Sequence, residues 1–158
     1  MFTAAETHTL LTDPMRHAPL RRQCLEGLRF PEEFWGPDGI ARVHQEAGGW
    51  PHLVQLVAES VVDEVNAAGR RAVDGDLFER ALDRAVGRGL NVLYQLVRQE
   101  CRTDEEWQYL AGFKLKDVQP APSEAVLGSL RHRLLVVPDG EAWRLRVPLM
   151  QRWIRSRE

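Results

Sequence analysis

Residues 135–147 read LVVPDGEAWRLRV, and this stretch decides how the second half of the chain folds. An Asp-Gly pair between two runs of β-forming residues is typical of a β-hairpin with a tight turn. Because side chains alternate between the two faces of a strand, one set on the second strand is predicted to face the core and the other the solvent. The predicted core set is Trp143, Leu145 and Val147, and the predicted solvent set is Arg144 and Arg146.

Helical patterns precede and follow this hairpin. Residues 123–134 and 148–157 carry apolar residues at helical spacing, and both stretches are predicted to be helices. Upstream, helices are predicted over 90–102 and from a capping box that begins at Thr103. The polar, proline-bearing stretch 114–122 is predicted to be a loop. Three helices followed by a β-hairpin form the winged-helix arrangement, a variant of the helix-turn-helix.

The first half of the chain is helical in pattern. Thr3 and Glu6 have the spacing of a capping box, Gly48 and Gly49 supply a helix stop, and Pro51 suits the first turn of the next helix. Helices are predicted over 3–12, 20–28, 37–47, 52–68 and 74–87. The predicted fold class is therefore mainly α, with a helical, lid-like bundle over residues 1–88 and a winged helix with one β-hairpin over residues 89–158.

Composition and motifs exclude several classes of protein. The chain has 158 residues, two cysteines and a formal net charge of −2, and it has no apolar run near the roughly 18 residues of a membrane span. It also lacks a signal peptide, so we expect a cytoplasmic protein without a membrane partner. No phosphate-binding loop, nucleophile elbow or metal-ligand spacing is present. We therefore expect no catalytic residue, no metal and no cofactor in the chain by itself, which is not expected to be an enzyme on its own.

Four segments carry a resemblance to a known family. They are FTAAETHTLLTDP at 2–14, GGWPHLVQL at 48–56, GRRAVDGDL at 69–77 and WRLRVPLMQRW at 143–153. In this order they resemble the C-terminal part of prokaryotic signal-transduction ATPases with numerous domains, the STAND branch of the AAA+ group. The second segment is similar to the "GGxP" helix start of that family, and the last is similar to its closing helix. The resemblance spans essentially the whole chain.

The resemblance implies a regulatory module rather than a catalytic one. Such a module closes over nucleotide bound by an ATPase core and relays the nucleotide state to partner domains. The core, with its ATP or ADP and Mg²⁺, is expected upstream in an ATPase parent protein. The resemblance also implies that the turn after residue 48 faces the nucleotide, although a plain helix–helix turn is the alternative. The nucleotide-facing residues are then Gly49, Trp50, Pro51 and His52.

Two other functions stay open. Residues 131–158 hold seven arginines and three acidic residues, which suits a winged-helix DNA-binding domain. Residues 103–158 hold nine basic and eight acidic residues, and Glu124 at the start of the predicted recognition helix repels phosphate, so protein contact is favoured over DNA. A free-standing, protein-binding adaptor is the remaining alternative. The candidate nucleic-acid or partner contacts are Arg131, Arg133, Arg144, Arg146 and Arg152.

Overall fold

The computed structural model describes residues 1–13 and 30–157 of the chain. The protein is mainly helical, with one small antiparallel sheet of three strands. It divides into two compact units, Met1–Ala85 and Val86–Glu158. The helix predicted over 20–28 lies outside the described residues.

Five described helices begin in the first unit, and the last of them extends a few residues beyond Ala85. Both members of the predicted capping box bond as expected, since Glu6 N donates to Thr3 Oγ1 at 3.2 Å and Thr3 N donates to Glu6 Oε2 at 2.7 Å. The Asp74 carboxylate caps another helix by accepting from Leu77 N at 2.9 Å. The helices are α1 (Ala4–Thr12), α2 (Glu32–Trp35), α3 (Gly39–Ala47), α4 (Pro51–Ala67) and α5 (Gly75–Arg88).

The core of the first unit forms around α4. Its buried stripe recurs at helical spacing, and Ser60 joins the stripe by donating its hydroxyl hydrogen to Leu56 O at 2.8 Å. Trp35 is only 2% exposed. Ile40 on α3 is half-buried. The buried apolar residues of α4 are Leu53, Val54, Val57, Val61 and Val65.

The second unit alternates short helices with strands. The predicted helix 90–102 is shorter than expected, because its α-helical turn passes into a π-helical turn over Gln95–Gln99 and ends there. A 3-10 turn over Gly112–Lys114 follows the second helix. The elements are α6 (Leu90–Tyr94), α7 (Asp104–Ala111), β1 (Val118–Gln119), α8 (Glu124–His132), β2 (Val136–Asp139), β3 (Ala142–Leu145) and α9 (Pro148–Arg155).

The predicted hairpin forms, and a further strand joins it. Strands β2 and β3 pair antiparallel, with Val136 opposite Leu145. Strand β1 lies in the stretch 114–122 that is predicted to be a loop, and it pairs with β3 so that the sheet order is β1-β3-β2. A strand of two residues has no periodic pattern, so the sequence gives no signal for it. Its position is held by the Gln119 side chain, which donates to Tyr109 O at 2.8 Å.

The alternation predicted over residues 143–147 is confirmed at three positions and only partly met at two. Leu145 and Val147 are buried and Arg144 is exposed, as predicted, while Arg146 is half-buried. Trp143 is also only half-buried, because its position lies opposite Pro138 near the hairpin turn, away from the packed end of the sheet. The core is completed by the apolar face of α9, whose buried residues are Leu149, Met150, Trp153 and Ile154.

Candidate functional site

The turn between α3 and α4 contains the residues expected to face a nucleotide. Gly48 and Gly49 adopt left-handed backbone conformations, with φ of 58° and 71°, which a glycine adopts without steric cost. The Gly49 carbonyl accepts a hydrogen bond from Phe2 N at 2.7 Å. A Cβ atom at position 49 would lie 2.7 Å from Phe2 O and 3.2 Å from His44 Cε1. The close approach that Gly49 permits is therefore made by the start of the same chain.

The other three residues of this turn differ in their exposure. Trp50 is half-buried, and its indole nitrogen is shielded from solvent without a hydrogen-bond partner among the described residues. Pro51 occupies the first position of α4, where the missing N–H costs nothing. His52 is exposed in the first helical turn. Of these four residues, His52 alone is exposed.

Side chains of α1 and α3 meet beside this turn. Thr7 is fully buried, and its hydroxyl lies 2.8 Å from Nδ1 of His44. On the surface, Nε2 of His8 in α1 lies 2.8 Å from the carboxylate of Glu32 in α2. The Thr7–His44 contact and the Phe2 hydrogen bond hold α1 beside the Gly49 turn, and the His8–Glu32 contact joins α1 to α2. The sequence carries no signal for them, because Thr7 and His44 are 37 positions apart.

The structure places the candidate contact arginines in different environments. Arg131 is exposed, with its guanidinium carbon 5.6 Å from the centre of the Trp143 ring, and Arg144 pairs with Asp139 at 3.6 Å. Arg146 and Arg152 are half-buried.

Arg133 is an internal residue of the second unit. Its side chain is 11% exposed, and its Nη2 donates to Leu96 O at 2.8 Å while Nη1 lies 3.4 Å from Glu106 Oε2. Glu106 is 2% exposed and also accepts from Arg102 N at 2.9 Å. The second predicted capping box is therefore half formed, since Thr103 accepts from Glu106 N but the Glu106 carboxylate bonds elsewhere. A guanidinium engaged in this way is not presented to a phosphate backbone.

Over residues 1–13 and 30–157, no group of three or more His, Cys, Asp or Glu side chains is arranged to hold a metal ion. Within the same described ranges, no helix combines the length and the apolar character needed to span a bilayer. Comparison of the chain with protein-family models, with curated proteins and with solved structures gave no match.

Proposed function

We propose that the chain is a non-catalytic regulatory module of a STAND-type AAA+ ATPase. In this proposal the first unit is a helical lid that closes over nucleotide bound by a separate P-loop core, and the second unit is a winged helix that relays the nucleotide state to partner domains. The observation that carries the proposal is the pairing of β1 with β3. It joins a strand that precedes α8 to the second strand of the hairpin, and a strand in this position supports the proposed winged helix.

Protein contact is a better role for the second unit than DNA binding. Arg133 is committed to the buried Glu106, and Arg144 is paired with Asp139. Glu124 lies in the first turn of α8, where it opposes a phosphate at the helix N-terminus. Sequence-independent affinity for DNA depends on the number of phosphates that free cations neutralise. We therefore expect any dissociation constant for a short DNA duplex to be no tighter than about 10⁻⁵ M near physiological salt.

The proposal is tested on the full-length gene product. Its reading frame should encode a phosphate-binding loop upstream of the segment that corresponds to residue 1. Hydrogen exchange of that protein, with and without a non-hydrolysable ATP analogue and Mg²⁺, should then show slower exchange for the amides of residues 49–53, apart from Pro51, which has no N–H, in the nucleotide-bound state. Amides in the middle of α9, which are remote from the proposed nucleotide contact in sequence, serve as the internal reference. A reading frame without a phosphate-binding loop, or unchanged exchange at 49–53, contradicts the proposal.

The chain by itself provides a second test. We expect no ATP hydrolysis, because the sequence has no group to cradle a triphosphate or to hold Mg²⁺. The measurement is phosphate release by the purified chain, with a variant in which His52 is replaced by alanine as the control for contaminating ATPases. Hydrolysis that the His52 substitution abolishes would assign catalysis to the chain and refute a purely regulatory role.

A further inference from the structure

Leu115 is the most exposed large apolar side chain of the described residues. Its relative exposure is 87%, and the next most exposed of these side chains, Met1, is 54% exposed. It comes directly after the 3-10 turn that ends at Lys114, in the connection between α7 and β1. Single exposed apolar residues are common on protein surfaces, so exposure alone assigns no role to Leu115.

The backbone on both sides of Leu115 is fixed by side chains of α9. Gln151 Nε2 donates to Phe113 O at 3.3 Å and to Lys116 O at 3.1 Å, so that it spans Leu115. The same amide lies 3.1 Å from Asp117 Oδ1, and Arg155 Nη2 donates to that oxygen at 2.7 Å. The hydrogen bonds from Arg155 and Gln151 also hold the pKa of Asp117 below its ordinary value. The loop is thus ordered before any partner binds, and a preordered anchor avoids an entropic cost of association.

Positive charge surrounds Leu115. Lys114 and Lys116, the only two lysines in the chain, flank it directly. The Lys114 ammonium donates to the backbone carbonyl of Arg157, while the guanidinium of Arg157 lies over the Trp153 ring, with 4.2 Å between its central carbon and the ring centre. Asp117 and Arg155 form an ion pair, so these two side chains together add no net charge beside the two lysines. The local excess of positive charge selects an acidic partner.

We propose that residues 114–117, here called the lysine loop, dock an acidic segment of a protein partner that receives Leu115 in an apolar contact. The proposal rests on the proposed function, because it names the surface through which the second unit contacts other domains. A peptide that pairs one or two large apolar residues with adjacent aspartates or glutamates has the required chemistry. A lipid surface is disfavoured, since one leucine and a few basic residues bury too little apolar area for stable anchoring.

The probe for this surface is a phage-displayed library of random peptides, selected against the immobilised whole chain. We expect enriched peptides to combine an aromatic or aliphatic residue with neighbouring acidic residues. Synthetic copies are then titrated in solution by fluorescence anisotropy. Leu115→Ser should weaken their binding about tenfold, which corresponds to the loss of one buried leucine contact. Lys116→Glu should weaken binding by a similar factor and reduce its dependence on salt.

The matched control is Leu90→Ser, because Leu90 is another exposed leucine of the second unit, at 45% exposure. It should bind the peptides as the unchanged chain does, and circular dichroism of all variants should be unaltered. Selection without acidic enrichment, or peptides that bind the Leu115→Ser variant equally well, would overturn the proposal. Leu115-dependent binding to phosphatidylcholine vesicles that contain phosphatidylserine would overturn it in favour of lipid. Neither result bears on the nucleotide-dependent exchange at residues 49–53, so the two proposals fail separately.

Discussion

Replacing Gly49 by alanine tests whether the α3–α4 turn is built around the start of the chain. At φ of 71° a residue with a Cβ atom costs about 1–2 kcal/mol more than glycine. The new Cβ would also lie 2.7 Å from Phe2 O, a backbone atom that moves only if the start of α1 moves. Displacing Phe2 breaks its hydrogen bond to the Gly49 carbonyl, which is worth about 1 kcal/mol. The lower entropy of an unfolded chain with alanine offsets about 0.5 kcal/mol, so the expected loss is about 1.5–2.5 kcal/mol.

Gly69 provides the matched control. It has φ of 63°, and no atom lies within 4 Å of the position that a Cβ would occupy. Gly69→Ala therefore bears the backbone cost alone, which is about 1 kcal/mol after the same entropic offset. The difference between the two variants isolates the contact between Gly49 and Phe2.

The assay combines urea unfolding with hydrogen exchange of the first unit. In Gly49→Ala the amides of α1 should exchange faster even without denaturant, because the contact that holds its start is broken. In Gly69→Ala the exchange of α1 should change no more than that of α3. Equal losses of stability in the two variants, or unchanged exchange in α1 of Gly49→Ala, would refute the inferred packing of Phe2 on Gly49.

Three further changes have calculable outcomes. Trp153→Ala removes a fully buried ring and should lower the free energy of unfolding by about 3–5 kcal/mol, whereas the half-buried Trp143→Ala should cost about 1–2 kcal/mol in the same urea titration. Asp117→Asn should lower the urea midpoint at pH 7. The difference between the midpoints of the variant and the unchanged chain should disappear as the pH falls below about 4, because the Arg155 hydrogen bond that lowers the pKa of Asp117 stabilises the fold only while the carboxylate is ionised. Leu134 follows α8 with φ of 58°, a conformation that glycine adopts without strain, so Leu134→Gly should raise the free energy of unfolding by about 0.5–1 kcal/mol and with it the urea midpoint. A lower midpoint would mean that the Leu134 side chain packs more than its exposure indicates.

Local chemistry explains the features that the sequence predicts well. The capping box of α1 needs only the side chains of Thr3 and Glu6, and the Asp74 cap needs one carboxylate and an amide three residues later. The helix stop at Gly48 depends on the conformational freedom of one residue. Each signal is complete within a few consecutive positions, so no knowledge of tertiary structure is required to predict it.

Features that depend on distant residues were not predictable in the same way. Alternation assigns Trp143 a face of β3 but says nothing about how much of the chain covers that face. The pairing of Thr7 with His44 depends on how two helices pack, and the two-residue strand β1 exists only because β3 lies beside it. At Gly49 the backbone of another segment does approach closely. The partner in that approach is Phe2, and no local pattern identifies it.

Arg133 shows why substitutions of the candidate arginines need separate interpretation. Removing its side chain leaves the Glu106 carboxylate buried at 2% exposure without its cation, and breaking a buried ion pair in this way costs about 3–5 kcal/mol. Loss of partner or DNA binding in Arg133→Ala would therefore follow from a weakened second unit. Arg131→Ala removes only the exposed contact with the Trp143 ring, so it should change the free energy of unfolding little. A loss of binding in Arg131→Ala would therefore mean that Arg131 itself contacts the partner. The double variant Arg133→Met with Glu106→Gln removes both buried charges together and so leaves no unpaired charge. If this double variant still fails to bind the partner or DNA, Arg133 has a role in recognition.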